Sequence, residues 1–156
     1  MKMFTLPPRT TTTIATAIPL PLKPAHYLRL RRAAAGLSQR EVAERLARNW
    51  RIQRGGTGSV LKLEKQARIL LEQLETDGTK ARFRREIDDL EHVVPLDVDV
   101  YFQLANEPAD RHPFVCLGCG CSTYDPCSGS EGVCSCATGH ACTRCIGRTI
   151  DMAEAA

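Results

Sequence analysis

The residues with the clearest capacity for chemistry are eight cysteines, all between Cys116 and Cys145, with none in the first 115 positions. Their spacing is Cys116-x2-Cys119-x-Cys121-x5-Cys127-x6-Cys134-x-Cys136-x5-Cys142-x2-Cys145. A Cys-x-x-Cys pair lets two thiolates and their neighbouring amides wrap one ion, and two such pairs complete a tetrahedral zinc site. The outer pairs, Cys116/Cys119 and Cys142/Cys145, are separated by 22 residues, within the range of zinc-ribbon-like sites. The inner set, Cys121, Cys127, Cys134 and Cys136, could hold a second zinc, and interleaved pairings fit the spacing equally well. Gly118, Gly120 and Gly139 suit the tight turns of such knuckles, and His140 is a reserve ligand that an all-thiolate reading leaves unused. The alternatives are a disulfide framework or reduced, unliganded thiols, and the cellular compartment decides among them.

All-thiolate cages are closed, whereas a hydrolytic zinc keeps an open position and a nearby base. The neighbouring acids are Asp125 and Glu131, and no His-x-Glu or His-Glu-x-x-His pattern occurs. The GGTG stretch at residues 55–58 lacks the lysine of a phosphate-binding loop. The metal is therefore expected to be structural and the protein not an enzyme.

A second chemistry lies in the charge distribution. Through residue 60 there are eleven basic residues against two acids, Glu41 and Glu44, a net of +9, and the remaining residues carry ten bases and sixteen acids, a net of −6. The overall +3 hides a cationic front half of the kind that attracts a polyanion. A solvated basic face without a partner is the bland alternative. With 156 residues, 43% hydrophobic and 25% charged, the composition excludes a wholly disordered, collagen-like or coiled-coil chain. No apolar run reaches eighteen residues, so no membrane span or membrane partner is expected. Pro7, Pro8, Arg9, Pro19 and Pro21 interrupt the apolar stretch near the start. A secretory signal is therefore not expected, and the reading is cytoplasmic with reduced thiols.

The elements that must position these groups are mainly helical. Residues 1–24, proline-rich with a threonine run, are expected to form a disordered arm. A first helix starts near Ala25 and is capped by Gly36. Ser38 and Glu41 form a capping box for a second helix, from Gln39 to about Ala47, that buries Val42, Ala43 and Leu46. Residues 48–58 are expected as a loop, with Trp50 anchoring it on the core. Val60, Leu63, Ala67, Leu70 and Leu74 mark a third helix. Phe83, Ile87, Leu90 and Val94 mark a fourth that ends before Pro95, and a short fifth covers about Asp97 to Ala105. The expected division is 25–94 as a DNA-binding domain, 95–113 as a helical connector and linker, 114–147 as the Cys-rich module and 148–156 as a tail.

GLSQREVAERLA, residues 36–47, resembles the second helix of the Cro-repressor (XRE) helix-turn-helix family, and VLKLEK, residues 60–65, resembles the end of its recognition helix. The resemblance covers roughly residues 25–74. It implies a bundle of about five helices that places its third helix in the major groove of double-stranded DNA. By this likeness Gln39 would donate to a phosphate, Thr57, Gly58, Ser59 and Lys62 would face base edges, and Arg32 and Glu64 would form a structural ion pair. Arg48, Arg51 and Arg54, in the turn, could hold the phosphate backbone. CxxCGCS with a later cysteine and a terminal CxxC resembles a small Cys-rich module found on phage and prophage proteins, in which an aromatic stands at the place of Cys136. The sequence thus predicts a mainly α fold: a helix-turn-helix bundle with a helical connector and a small Cys-rich zinc-binding module. The expected function is that of a sequence-specific transcriptional regulator. A metal- or redox-sensing cysteine protein is one alternative. Another is an interaction adaptor, either a homodimer seamed along Val60–Leu74 or a module that recruits a protein partner through its cysteines.

Overall fold

The chain is represented by a computed structural model that describes residues 21–129, 132–138 and 140–146. Residues 1–20 of the expected arm and the whole expected tail, 148–156, lie outside the described residues, as do Glu131 and Gly139.

Among the described residues five helices follow one another: α1 (Pro24–Ala34), α2 (Gln39–Gln53), α3 (Val60–Leu74), α4 (Arg84–Glu91) and α5 (Val98–Asn106). Helix α1 begins with proline at its first position, where the missing N–H is no loss. It ends because Gly36 takes φ 68°, which lets the Gly36 N–H reach Ala33 O and the Leu37 N–H reach Arg32 O. Helix α2 starts with the expected box: Ser38 Oγ accepts from Glu41 N–H and the Glu41 carboxylate accepts from Ser38 N–H. It runs through Gln53, not Ala47, so Arg48 and Arg51 stand on helix rather than in a loop. The physical reason is that no breaker precedes Gly55. Gly55 and Gly56, at φ 69° and 79°, close the helix in the same manner as Gly36 closes α1. Trp50 holds the extra turn, packing on the core and donating from Nε1 to Asp89 of α4 at 2.7 Å.

Helix α3 buries Leu63, Ala67, Leu71 and Leu74. The stripe read as a possible dimer seam therefore lies, for these residues, inside the chain's own core. Helices α2 and α3 run antiparallel, since Gln39 at the start of α2 bonds to Glu75 just past the end of α3. Helix α4 stops at Glu91 instead of reaching Val94, because the residue before Pro95 is kept out of the helical region. Val94 is nonetheless buried in the core. Asp97 caps α5 by accepting from the Asp99 and Val100 N–H groups. Tyr27 of α1 fixes this corner: its buried hydroxyl accepts the Asp97 N–H at 2.9 Å. Residues expected as a connector are thus part of the bundle, for Val100, Tyr101 and Leu104 share one core with Leu46, Leu71 and Ile87.

One acidic residue organises the base of the bundle. Glu75, 5% exposed, accepts from Arg32 at 2.6 and 2.9 Å and from the Gln39 amide at 2.7 Å. This replaces the expected Arg32–Glu64 pair. Glu64 lies in the first turns of α3, roughly 16 Å along the axis from Glu75 at 1.5 Å per residue, while the C-terminal end of α1 meets the C-terminal end of α3. Arg29 reinforces that meeting by donating to the carbonyl of Glu75 and to Asp77, a cation where the helix dipole is negative.

After a single 3-10 turn at Ala109–Arg111, the Cys-rich segment carries two small antiparallel hairpins, β1 (Ser128–Gly129) with β2 (Gly132–Val133) and β3 (Cys136–Thr138) with β4 (Ala141–Cys142). Val115 bridges to Ser122 and is buried in the helical core, so the module is rooted in the bundle.

Candidate metal centre and basic hairpin

The cysteine knuckles are built by backbone hydrogen bonds that turn the thiols inward. Gly120 N–H bonds to Cys116 O at 2.7 Å and Cys116 N–H to Cys121 O at 2.8 Å, closing the first knuckle. Cys145 N–H bonds to Cys142 O at 2.9 Å, closing the last. The Cys116 sulfur accepts N–H groups from Gly118 at 3.4 Å and from Cys142 at 3.3 Å, which joins the two ends of the module. Gly118 shows why a side chain is missing there. A Cβ would meet Cys145 Sγ at 2.9 Å and Cys116 Sγ at 3.7 Å. Gly120 serves both the turn, at φ 72°, and a close approach to α1, since a Cβ there would meet Arg31 Cδ at 2.8 Å and Leu30 Cβ at 3.0 Å.

Two groups of four thiols result, each with all four sulfurs within 4.8 Å of one another: Cys116, Cys119, Cys121 and Cys142, and Cys121, Cys127, Cys134 and Cys142. Either group could hold a metal ion. The separations Cys121–Cys134, Cys119–Cys142 and Cys127–Cys142 are 3.6, 3.8 and 4.0 Å. A tetrahedron with metal–sulfur bonds of about 2.3 Å has edges of about 3.8 Å, so the donor set and its size both fit. All eight cysteines are free thiols.

The two groups overlap, so the geometry does not divide the thiols into disjoint outer and inner cages. Cys121, expected in the inner set, belongs to both groups, because the Cys-x-x-Cys-Gly-Cys turn brings it back beside Cys116 while its sulfur also lies 3.6 Å from that of Cys134. Cys142 reaches both groups. Neither Cys145 nor Cys136 belongs to these groups, but Cys145 is buried beside Cys116 whereas Cys136 is exposed. It lies on β3 directly opposite Cys142 of β4, beside a register shift between Cys136 and Thr138, and its side chain is exposed. The His140 side chain is exposed, and its carbonyl accepts from Leu117 N–H at 2.9 Å.

Thiol ionisation follows the same crowding. Burial pushes Cys119 and Cys121 well above the ordinary range, Cys145 up to about 12 and Cys134 up to about 11. Burial also opposes ionisation at Cys142, but the Arg144 N–H and neighbouring thiols donate to it and lower it to about 6.

The basic residues form a separate surface. From Arg45 to Lys62 the chain has five basic residues and no acid. Arg48 and Arg51 on α2, Arg54 at its end, and Thr57, Gly58, Ser59 and Lys62 around the start of α3 are all exposed. Arg51 donates to Gly56 O at 3.1 Å and Thr57 to Arg54 O at 2.8 Å, so the loop is internally tied. Among the described residues the ion pairs on this hairpin are Arg40–Glu44 and Arg68–Glu72, and the charges from Arg45 to Lys62 take no part in them. Gln39 is at the opposite end, its amide held by Glu75 and therefore committed to the scaffold. Ile52 and Leu61 stand among the cations at 75% and 78% exposure.

Sequence reasoning missed the joint between bundle and module. Arg31, 4% exposed, donates from Nε to Pro95 O at 2.5 Å and pairs with Asp125 of the module. Only the presence of a cation in an otherwise apolar helix face hinted at it. No helix among the described residues is long and apolar enough to cross a membrane. Compared with protein families, curated proteins and solved structures, the chain matches none of them.

Proposed function

We propose that this chain is a sequence-specific DNA-binding transcriptional regulator of the helix-turn-helix kind, similar to those of phages and prophages, with zinc as the structural metal of its Cys-rich module. The observation that carries the reading is the exposed, acid-free run from Arg45 to Lys62, concentrated where α2 turns into α3. Arg48, Arg51 and Arg54 contact phosphates, which position the protein, and Thr57, Gly58, Ser59 and Lys62 present the start of α3 to base edges. Zinc is favoured for the module by an all-sulfur donor set at tetrahedral separations.

Titration of the whole chain with duplex DNA at 50 and 200 mM salt tests this. Three phosphate contacts predict a loss of affinity of about 40-fold over that range through counterion release. The double substitution Arg51→Ala, Arg54→Ala is expected to reduce the salt slope by about 2, one per lost contact. Equal affinity at both salts sinks the proposal.

A second reading, an interaction adaptor or homodimer, is favoured by exposed Ile52 and Leu61 on the same tip. The mass in solution separates the two readings: a dimer that Leu61→Asp converts to a monomer supports the second.

A further inference from the structure

We propose that the module holds a single two-metal centre in which the Cys142 thiolate bridges both ions, with seven of the eight cysteines as ligands and Cys136 left outside. This rests on the reading of the thiol cluster as a divalent-metal site.

Ligand arithmetic leads there. Two separate tetrahedral sites need eight thiolates. The fold turns Cys116, Cys119, Cys121, Cys127, Cys134, Cys142 and Cys145 inward and leaves Cys136 exposed. Seven ligands complete two four-coordinate ions only if one is shared.

The shared sulfur is identified by position. Cys142 Sγ is 3.8 Å from Cys119 Sγ on one side and 4.0 Å from Cys127 Sγ on the other. It is a member of both four-thiol groups. Its backbone N–H bonds to the Cys116 sulfur, which ties it to the first ion's ligands. Cys121 also belongs to both groups, but its sulfur lies 3.6 Å from that of Cys134, a ligand of the second ion alone, and it is assigned there. Cys145, buried beside Cys116 across the gap at Gly118, takes the fourth place on the first ion. Sharing one thiolate also encloses one anion fewer than two full cages would, which lowers the desolvation cost of the cluster.

Cadmium-113 loaded into the intact chain in place of zinc provides the test. The expected result is two metal ions per chain and two resonances in the tetrathiolate region, each split by coupling to the other through the common sulfur. X-ray absorption of the zinc form is expected to show a metal–metal distance below about 4.6 Å, twice a zinc–sulfur bond. Cys136→Ser is expected to keep both metals and the coupling. Two unsplit resonances with no short metal–metal distance, one metal per chain, or loss of a metal in Cys136→Ser overturns the bridged centre while leaving a metal module intact. A chain that binds no zinc or cadmium, or that is coloured by iron, overturns the underlying zinc reading as well.

Discussion

At the scale of single residues, side-chain type announced chemistry more reliably than it announced partners. The cysteines were legible as candidate metal ligands from their Cys-x-x-Cys spacing, but which four could surround one ion depends on how the intervening loops return. Gly118 shows the same division. It reads as a turn glycine, yet what it provides is room for Cys145 Sγ, a neighbour 27 positions away. Arg32 was legible as a structural cation, but its carboxylate is Glu75 rather than Glu64. His26 gives a prediction at this scale. Burial first, and then Arg29, hold its imidazole below the ordinary 6.5, with Asp77 opposing. The unfolded chain therefore takes up this proton before the folded chain does, so the contribution is neutral above pH 6.5 and destabilising as pH falls below it. Thermal melting between pH 7.5 and 5.5 is expected to show a decline that is shallower in His26→Asn. An equally steep decline in the variant assigns the acid sensitivity elsewhere, for instance to protonation of the metal-binding thiols.

At the scale of elements, boundaries set by local signals were legible and the end of α2 was not. Ser38–Glu41 and Gly36 carry their own hydrogen-bonding logic within four residues, so they act wherever the chain places them. The end of α2 is different. Residues 48–53 are polar and basic, which reads as loop, and they stay helical because Trp50 reaches Asp89 on α4, 39 residues on. That extension lifts Arg48 and Arg51 onto an ordered face, with consequences for any ligand of the tip. The α2–α3 pair is held by its apolar seam. Leu71 of α3, 2% exposed, lies in the shared core, and Leu71→Ala is expected to cost about 2–5 kcal/mol, read as a shift in the urea midpoint. A loss under 1 kcal/mol would mean that α3 is held mainly by the Glu75 network.

For the whole molecule, bundle and module are connected through Val115 in the core and through Arg31. Arg31→Ala would leave Pro95 O and Asp125 without their donor. Because Asp125 is a third exposed, solvent recovers part of the loss, and about 1–3 kcal/mol is expected. Metal content should be unchanged, since no ligand is touched; a variant that loses its metal would show that the bundle is required to shape the thiol cluster. A cationic front segment, an acidic remainder and a terminal set of thiols were determined by the sequence alone, because charge and sulfur chemistry belong to residues wherever they fold. So were the helix caps and the periodic apolar stripes, whose information is local. Tertiary structure alone decided the rest: that α5 is core rather than connector, that Gln39 serves Glu75, that Cys136 stands apart and that Cys142 is common to both thiol groups. Those outcomes depend on contacts between residues distant in the chain, and no spacing rule specifies which distant groups close packing will bring within 4 Å.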